Sequence, residues 1–209
     1  METKTAAVSM KNITKTFGPV IANDKVNLDI YKGEILSLLG ENGSGKTTCI
    51  KLLCRLLEPG SGTIYLDGTD IREYTKESCW KLFSAVFQDF QMFALPIGEN
   101  IAGSTTYSQE RIMKSLDDCG MGAWIKKQNK GLSQELFRVN EDGINVSGGE
   151  SQKLAIARAL YFDRPFIIMD EPTAALDPVS ESEIYEKFHM LAKGKGAVYI
   201  SHRLSSCRF

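Results

Sequence analysis

The chain has 209 residues, 43% of them hydrophobic and 24% charged, with a formal net charge of −1, which is enough apolar material for one substantial core with room for an inserted sub-domain. Its basic residues are scattered rather than clustered, which gives no support for a nucleic-acid-binding surface. No apolar run reaches the ~18 residues of a membrane span, Met1-Glu2-Thr3-Lys4 lacks the apolar core of a signal peptide, and Cys49, Cys54, Cys79, Cys119 and Cys207 show no C-x-x-C spacing; a soluble protein of a reducing compartment with buried, inert thiols is expected.

In chain order, Ala6–Ile13 alternates in the strand manner, and Val26–Ile30 does so again before the turn Tyr31-Lys32-Gly33-Glu34, predicting an antiparallel flap. Phe17-Gly18-Pro19 sets an aromatic in the turn between them. It reads either as a base-stacking platform or as a surface aromatic covering the sheet edge. The apolar run Ile35-Leu36-Ser37-Leu38-Leu39 then leads into Gly40-Glu41-Asn42-Gly43-Ser44-Gly45-Lys46-Thr47-Thr48, and Ile50, Leu53 and Leu57 follow with helical spacing. This is strand, phosphate loop and helix. Glycines let successive N–H groups turn inward on an anion, and the helix behind them adds its positive dipole end. In a G-x-x-x-x-G-K-[ST] loop the lysine, Lys46, holds the β- and γ-phosphates and the hydroxyl residue, Thr47, serves Mg²⁺, so ATP binding is expected.

The helix is predicted to stop at Glu58-Pro59-Gly60, and Thr63–Leu66 then Asp67-Gly68 reads as a strand into a turn. Ser84–Phe87 is a short strand that delivers Gln88 and Asp89 to its C-terminal end, where open α/β sheets place ligand-binding groups. Phe90–Ile97 is apolar, contains Pro96 and has no clean period; it reads as a partner-facing surface. From about Glu99 to Phe162 the pattern is mostly helical, with Ser108 as a cap and Ile112, Leu116 and Cys119 on one stripe. The stretch closes on Ser147-Gly148-Gly149-Glu150, whose Ser147 and Glu150 fit a capping box.

Phe166–Met169 is apolar on both faces, as a central parallel strand would be, and ends in Asp170-Glu171. Asp170 there can reach Mg²⁺ through its water shell, and Glu171 can polarise the water that attacks the γ-phosphate. Asp177-Pro178 reads as N-cap and first residue of a helix running to about Lys193-Gly194, and Ala197–Ile200 as a strand ending in Ser201 and His202. A strand-end histidine reads either as a functional group or as a satisfied hydrogen-bonding residue.

Taken together these stretches resemble the nucleotide-binding domain of ABC transporters. The phosphate loop is shared with kinases and small GTPases; Ser147-Gly148-Gly149-Glu150 is what separates this family from them. The resemblance implies an α/β P-loop NTPase fold over 1–209: a mostly parallel core sheet, an N-terminal antiparallel β flap and a helical sub-domain over about 99–162. It makes Phe17 the adenine-stacking aromatic and Gly40, Asn42, Gly43, Ser44, Gly45, Lys46, Thr47 and Thr48 the phosphate-binding loop. Gln88 becomes the glutamine that touches Mg²⁺ and water, and Val146–Glu150 the signature loop. Asp170 becomes the metal-site carboxylate and Glu171 the catalytic base. Ala174–Asp177 becomes the D-loop and His202 the residue at the γ-phosphate.

Ile97–Ile101, Asn140–Gly143 and Ile200–Leu204 resemble the exporter branch, with bacterial peptide, bacteriocin and lipid exporters nearest. For that branch the family implies a membrane domain against Gln88–Ile101, a second nucleotide-binding domain in a head-to-tail, ATP-dependent dimer, ATP and Mg²⁺ as ligands, no nucleic acid, and a place on the cytoplasmic face of the plasma membrane. Two features depart from the family: Glu150 stands where glutamine is usual, and Phe209 comes soon after the histidine, as in a C-terminally truncated domain. A soluble ABC ATPase that remodels nucleic acid or ribosomes is the alternative. Such proteins carry two nucleotide domains or a long coiled coil, and neither is seen in this sequence. A P-loop kinase would explain Gly40–Thr48 and little else.

Overall fold

The structure, a computed structural model, describes residues 5–138, 142–173, 184–186, 188–189 and 192–201. The chain divides into two compact units, one of Met1–Ala85, Arg164–Glu171 and His189–Phe209, the other of Val86–Asp163 and Pro172–Phe188.

The first unit carries β1 (Val8–Phe17), β2 (Val20–Ile30), β3 (Ile35–Leu39), α1 (Lys46–Leu53), β4 (Ser61–Leu66), β5 (Thr69–Asp70), α2 (Lys76–Trp80), β6 (Phe83–Val86), β7 (Phe166–Asp170) and β8 (Gly196–Ser201). Strands β2-β1-β4-β5 form an antiparallel sheet. The flap strands are longer than alternation predicts, because the β1–β2 register shifts between Met10 and Ile13 and again on either side of Lys15. Such bulges break the period of two on which the sequence reading relies. Asp67 and Gly68, both at positive φ (45° and 81°), close the β4–β5 hairpin, as a tight two-residue turn needs.

A second sheet has the order β3-β8-β7-β6, with β3–β8 and β8–β7 parallel. Both β7 and β8 are buried at every residue, as their near-continuous apolar runs require. Their register places Leu39 opposite Ser201 and Asp170 opposite Ile200. The C-terminal ends of β3, β8 and β7 therefore share one edge of the sheet.

Helix α1 ends at Leu53, more than a turn before the predicted stop at Pro59-Gly60. Arg55 takes the left-handed conformation (φ 56°), its N–H donating to Leu52 O and that of Leu56 to Lys51 O. This is a Schellman closure without the usual glycine. The side chain compensates, since its guanidinium donates to the carbonyls of Ile71 and Tyr74.

The second unit carries α3 (Ile97–Ala102), α4 (Gln109–Asp118), α5 (Gly122–Lys126) and α6 (Gly148–Phe162). Ser108 caps α4 by accepting from Arg111 N, as predicted. Ile97, Ile101, Ile112, Leu116, Leu136, Leu154 and Ala157 are fully buried as its core. The helical stretch is less continuous than predicted. Among the described residues between α5 and α6 there is only a single 3-10 turn, Gly131–Ser133, because Glu135, Leu136 and Ile144 make bridges and extended hydrogen bonds instead.

Among the described residues no helix is long and apolar enough to cross a membrane. Among the described residues Cys49, Cys54, Cys79 and Cys119 are buried and form no disulfide, and burial pushes the Cys49 thiol up to about 11 and that of Cys54 to about 12. Cys49 and Cys54 are therefore inert thiols at neutral pH.

Candidate nucleotide site

At the end of β3 the chain turns through Gly40–Gly45 into α1. Gly45 is at φ 82°, and a Cβ there would lie 2.0 Å from the Ala22 carbonyl oxygen of β2. No other residue fits. The neighbouring Asn23, buried in β2, donates from Nδ2 to Gly45 O at 3.2 Å and so braces the loop from behind. Lys46 spans the turn, its Nζ donating to Gly40 O and Glu41 O at 2.7 Å each and to Ser44 Oγ at 3.1 Å. The start of α1 has no side-chain cap and no acidic residue in its first turn, which it shares with the short α5, whereas α2, α4 and α6 each begin on a capping hydroxyl. Uncapped N–H groups beside a lysine suit a phosphate.

The hydroxyl of Thr47, on the first turn of α1, donates to Asp170 Oδ2 at the end of β7, 2.7 Å away. Asp170 is buried, and burial raises its carboxyl pKa; the Thr47 bond opposes that shift, while the adjacent Glu171 charge adds to it. A hydroxyl and a carboxylate oxygen so disposed are a hard donor pair of the kind Mg²⁺ takes. Glu171 follows at φ 49° and is also buried. Its N–H donates to Ile200 O at 3.1 Å, keeping Glu171 in register with β8 beyond the last strand residue. A left-handed glutamate is a costly conformation, of the kind concentrated at working sites. Ser201 ends β8 at the same edge.

Phe17 ends β1 beside the Gly18-Pro19 turn, 48% exposed, with Lys15 Nζ 5.3 Å from its ring centroid. Gln88 lies in the second unit, exposed in the turn closed by Phe90 N on Phe87 O. Ser147-Gly148-Gly149-Glu150 opens α6 with a full capping box: Glu150 N donates to Ser147 Oγ at 3.2 Å, and Ser147 N to Glu150 Oε2 at 2.7 Å. Burial pushes the Glu150 carboxyl up, but the Ser147 N–H and hydroxyl and the Trp124 indole outweigh burial and hold it below its ordinary value. Asp177, with Ala174–Leu176, and His202 lie outside the described residues.

The structure thus brings Lys46, Thr47, Asp170 and Glu171 to one edge of one sheet. Two residues that pattern reading passes over belong beside the predicted ones: Asn23 behind the phosphate loop and Trp124 behind Glu150. Neither lies in a local motif that could have marked it.

The ABC transporter family matches residues 23–174. The chain belongs to the ABC transporter family. Its match is to the ATP-hydrolysing domain, and ATP is the nucleotide that this domain of the family binds. The ATP-dependent lipid A-core flippase of Pasteurella multocida is 38% identical over 205 residues, 95% of this chain and 34% of that protein. A nisin transport ATP-binding protein of Lactococcus lactis is 38% identical over 187 residues, 88% of this chain and 31% of that one. Among solved structures, a bacterial Atm1-family ABC exporter with ATP bound superposes with a TM-score of 0.87 at 30% identity, covering 96% of this chain and 35% of that one. The chain spans about a third of the length of the relatives it matches.

Proposed function

We propose that this ABC domain hydrolyses ATP to drive export of a substrate across a membrane, at the cytoplasmic face of a bacterial plasma membrane and in a head-to-tail pair with a second nucleotide-binding domain. On this reading residues 1–209 are one nucleotide-binding domain, with a helical sub-domain over about 99–162. The single observation that carries the reading is the Lys46–Thr47–Asp170–Glu171 cluster, in which a phosphate loop meets two strand-end carboxylates with one hydrogen-bonded to the loop's threonine.

Lys46 and the N–H groups opening α1 hold the β- and γ-phosphates, and Phe17 stacks on the adenine. Thr47, Asp170 and Gln88 hold Mg²⁺, which when bound neutralises phosphate charge. Glu171 takes the proton of the attacking water, and His202 contacts the γ-phosphate. Ser147, Gly148, Gly149 and Glu150, with Asp177, close over the nucleotide of the partner copy, because a helix N-terminus is an anion site and one copy alone does not surround the γ-phosphate. Loss of the γ-phosphate then reopens the pair. The exposed residues Phe93 and Leu95 face the membrane-embedded part of the transporter, and no nucleic acid is involved.

Glu171→Gln tests the assignment. The amide keeps the shape but cannot accept the proton, so turnover falls by ~10²–10⁴ while ATP binding survives and an ATP-bound dimer accumulates in sedimentation. Wild-type turnover in this variant would move the base elsewhere.

A further inference from the structure

Gln91–Pro96 has no regular secondary structure, yet it holds Phe93 55% and Leu95 43% exposed. A segment without a ladder must satisfy its backbone polar groups in another way, and it would be expected to fold its large apolar side chains inward. Here one buried side chain supplies the partners. Asn100 Oδ1 accepts from Phe93 N at 2.9 Å, and its Nδ2 donates to Phe93 O and Leu95 O at 3.0 Å each and to Pro96 O at 3.3 Å. Arg158, roughly three turns into α6, grips the same segment. Its Nε donates to Asn100 O at 2.8 Å and its Nη2 to Gln91 O at 3.2 Å; Met92 Sδ lies 3.6 Å from Nη2, and the guanidinium carbon is 6.0 Å from the Phe93 ring centroid.

A second seam runs along the other side. Leu136 N donates to Leu95 O at 3.1 Å and Ile97 N to Gln134 O at 2.9 Å. Phe137 N donates to Ile144 O at 2.7 Å, and Ile144 N to Glu135 O at 3.0 Å. Ile144 stands three residues before Ser147. The exposed segment is therefore fastened to the Ser147 loop through the residues before it, and to α6 through Arg158. The partners of Arg158 are carbonyl oxygens and a thioether. A methionine or leucine would serve packing alone without desolvating a cation, so what the guanidinium adds is direction.

We infer that Asn100 and Arg158 are positioning residues that hold Gln91–Pro96 in the turned form, with Leu95 N on Phe93 O at 2.8 Å, that presents Phe93 and Leu95 outward, and make that surface move with the helix opened by Ser147. The inference rests on the reading of this surface as the one that meets the membrane-embedded partner, and it names the side chains that carry motion from the signature helix to it.

Hydrogen exchange resolved at Phe93 and Leu95 tests it in the chain itself. In Arg158→Leu both amides exchange about tenfold faster or more, the equivalent of one net hydrogen bond, while Met10 and Ile64 keep wild-type protection. Should that variant fail to fold, Arg158→Lys is read in its place: it keeps the charge and stem but not the fork, and it too speeds Phe93 and Leu95 with Met10 and Ile64 unmoved. Unchanged exchange at Phe93 and Leu95, or one uniform acceleration through all four amides, overturns the inference. In the intact transporter Arg158→Lys lowers the substrate moved per ATP hydrolysed, and an unaltered ratio also overturns it. Phe93→Asp examines the docking surface separately. If transport survives that variant the docking reading falls, whereas the exchange result still decides whether Arg158 sets the segment's form.

Discussion

Thr47→Val isolates the hydrogen bond that joins the phosphate loop to β7. Valine matches threonine in volume and branching, so helix propensity and packing change little, and what is lost is the 2.7 Å donation to Asp170 Oδ2. Asp170 is 1% exposed, so water does not replace the hydroxyl. A hydrogen bond to a charged group contributes about 1.5–3 kcal/mol, and for a domain of this length 1 kcal/mol moves the melting temperature by roughly 2–4 °C. Thr47→Val should therefore melt roughly 3–12 °C below wild type at neutral pH without nucleotide, and Thr47→Ser close to wild type. The pH dependence carries the sign. Burial already places the Asp170 pKa above its ordinary 3.8, so the native state loses stability as pH rises from that value through the raised pKa. Removing the Thr47 bond raises the pKa further, so the deficit of the variant grows with pH and shrinks in acid, where the carboxyl is neutral. Melting curves across pH read this directly. Equal melting of Thr47→Val and wild type at neutral pH, or an equal loss in Thr47→Ser, would refute the reasoning.

Two further outcomes follow from the same site. Asp170→Asn removes a charge that burial disfavours, so the variant should melt a few degrees above wild type at neutral pH and lose ATP turnover, a trade of activity for stability seen at working sites; calorimetry beside a phosphate-release assay checks both. Phe17, half-exposed at the tip of the β1–β2 hairpin, contributes little to the core, so Phe17→Ala should weaken ATP by about 1–3 kcal/mol of lost stacking with a small change in melting temperature, and Phe17→Trp should restore affinity. A large drop in melting with unaltered affinity would make Phe17 a cover for the sheet edge instead.

What could be read from the sequence was what is local. The phosphate loop, the Ser108 cap, the Ser147–Glu150 capping box and the Asp67-Gly68 turn each complete themselves within a few residues, and the structure shows each cap and turn as the pattern predicts. Gly45 could be recognised as a loop glycine, but the Ala22 carbonyl that forbids a side chain there belongs to another strand. The end of α1 was misplaced because Pro59-Gly60 is the stronger local stop signal, while the closure at Arg55 depends on the carbonyls of Ile71 and Tyr74. Asn23 and Arg158 were missed for the same reason. Their partners at Gly45 and Gln91 are brought to them by folding, and no spacing along the chain announces them.

Glu150 closes the Ser147-Gly148-Gly149-Glu150 stretch that opens α6, and its geometry decides what Glu150→Gln should do. A carboxylate aimed at a partner copy's γ-phosphate would repel it, and its removal would tighten ATP-dependent pairing, most visibly at low salt. The side chain instead turns back on its own helix, Oε2 accepting from Ser147 N at 2.7 Å, with the Trp124 indole as a further donor. Glutamine offers the same acceptor oxygen, so the cap survives and only the favourable meeting of negative charge with a helix N-terminus is lost, about 0.3–1 kcal/mol. Because the carboxyl pKa is lowered below its ordinary 4.5, that contribution is complete above this value and disappears as pH falls through the folded pKa. Wild type and Glu150→Gln should thus differ slightly in melting at neutral pH and converge in acid. Their ATP-induced dimerisation, measured by sedimentation in the Glu171→Gln background, should agree within about twofold, since charge screening has nothing to act on. A several-fold rise in dimer for Glu150→Gln that salt abolishes would mean that the carboxylate leaves its cap when two copies meet.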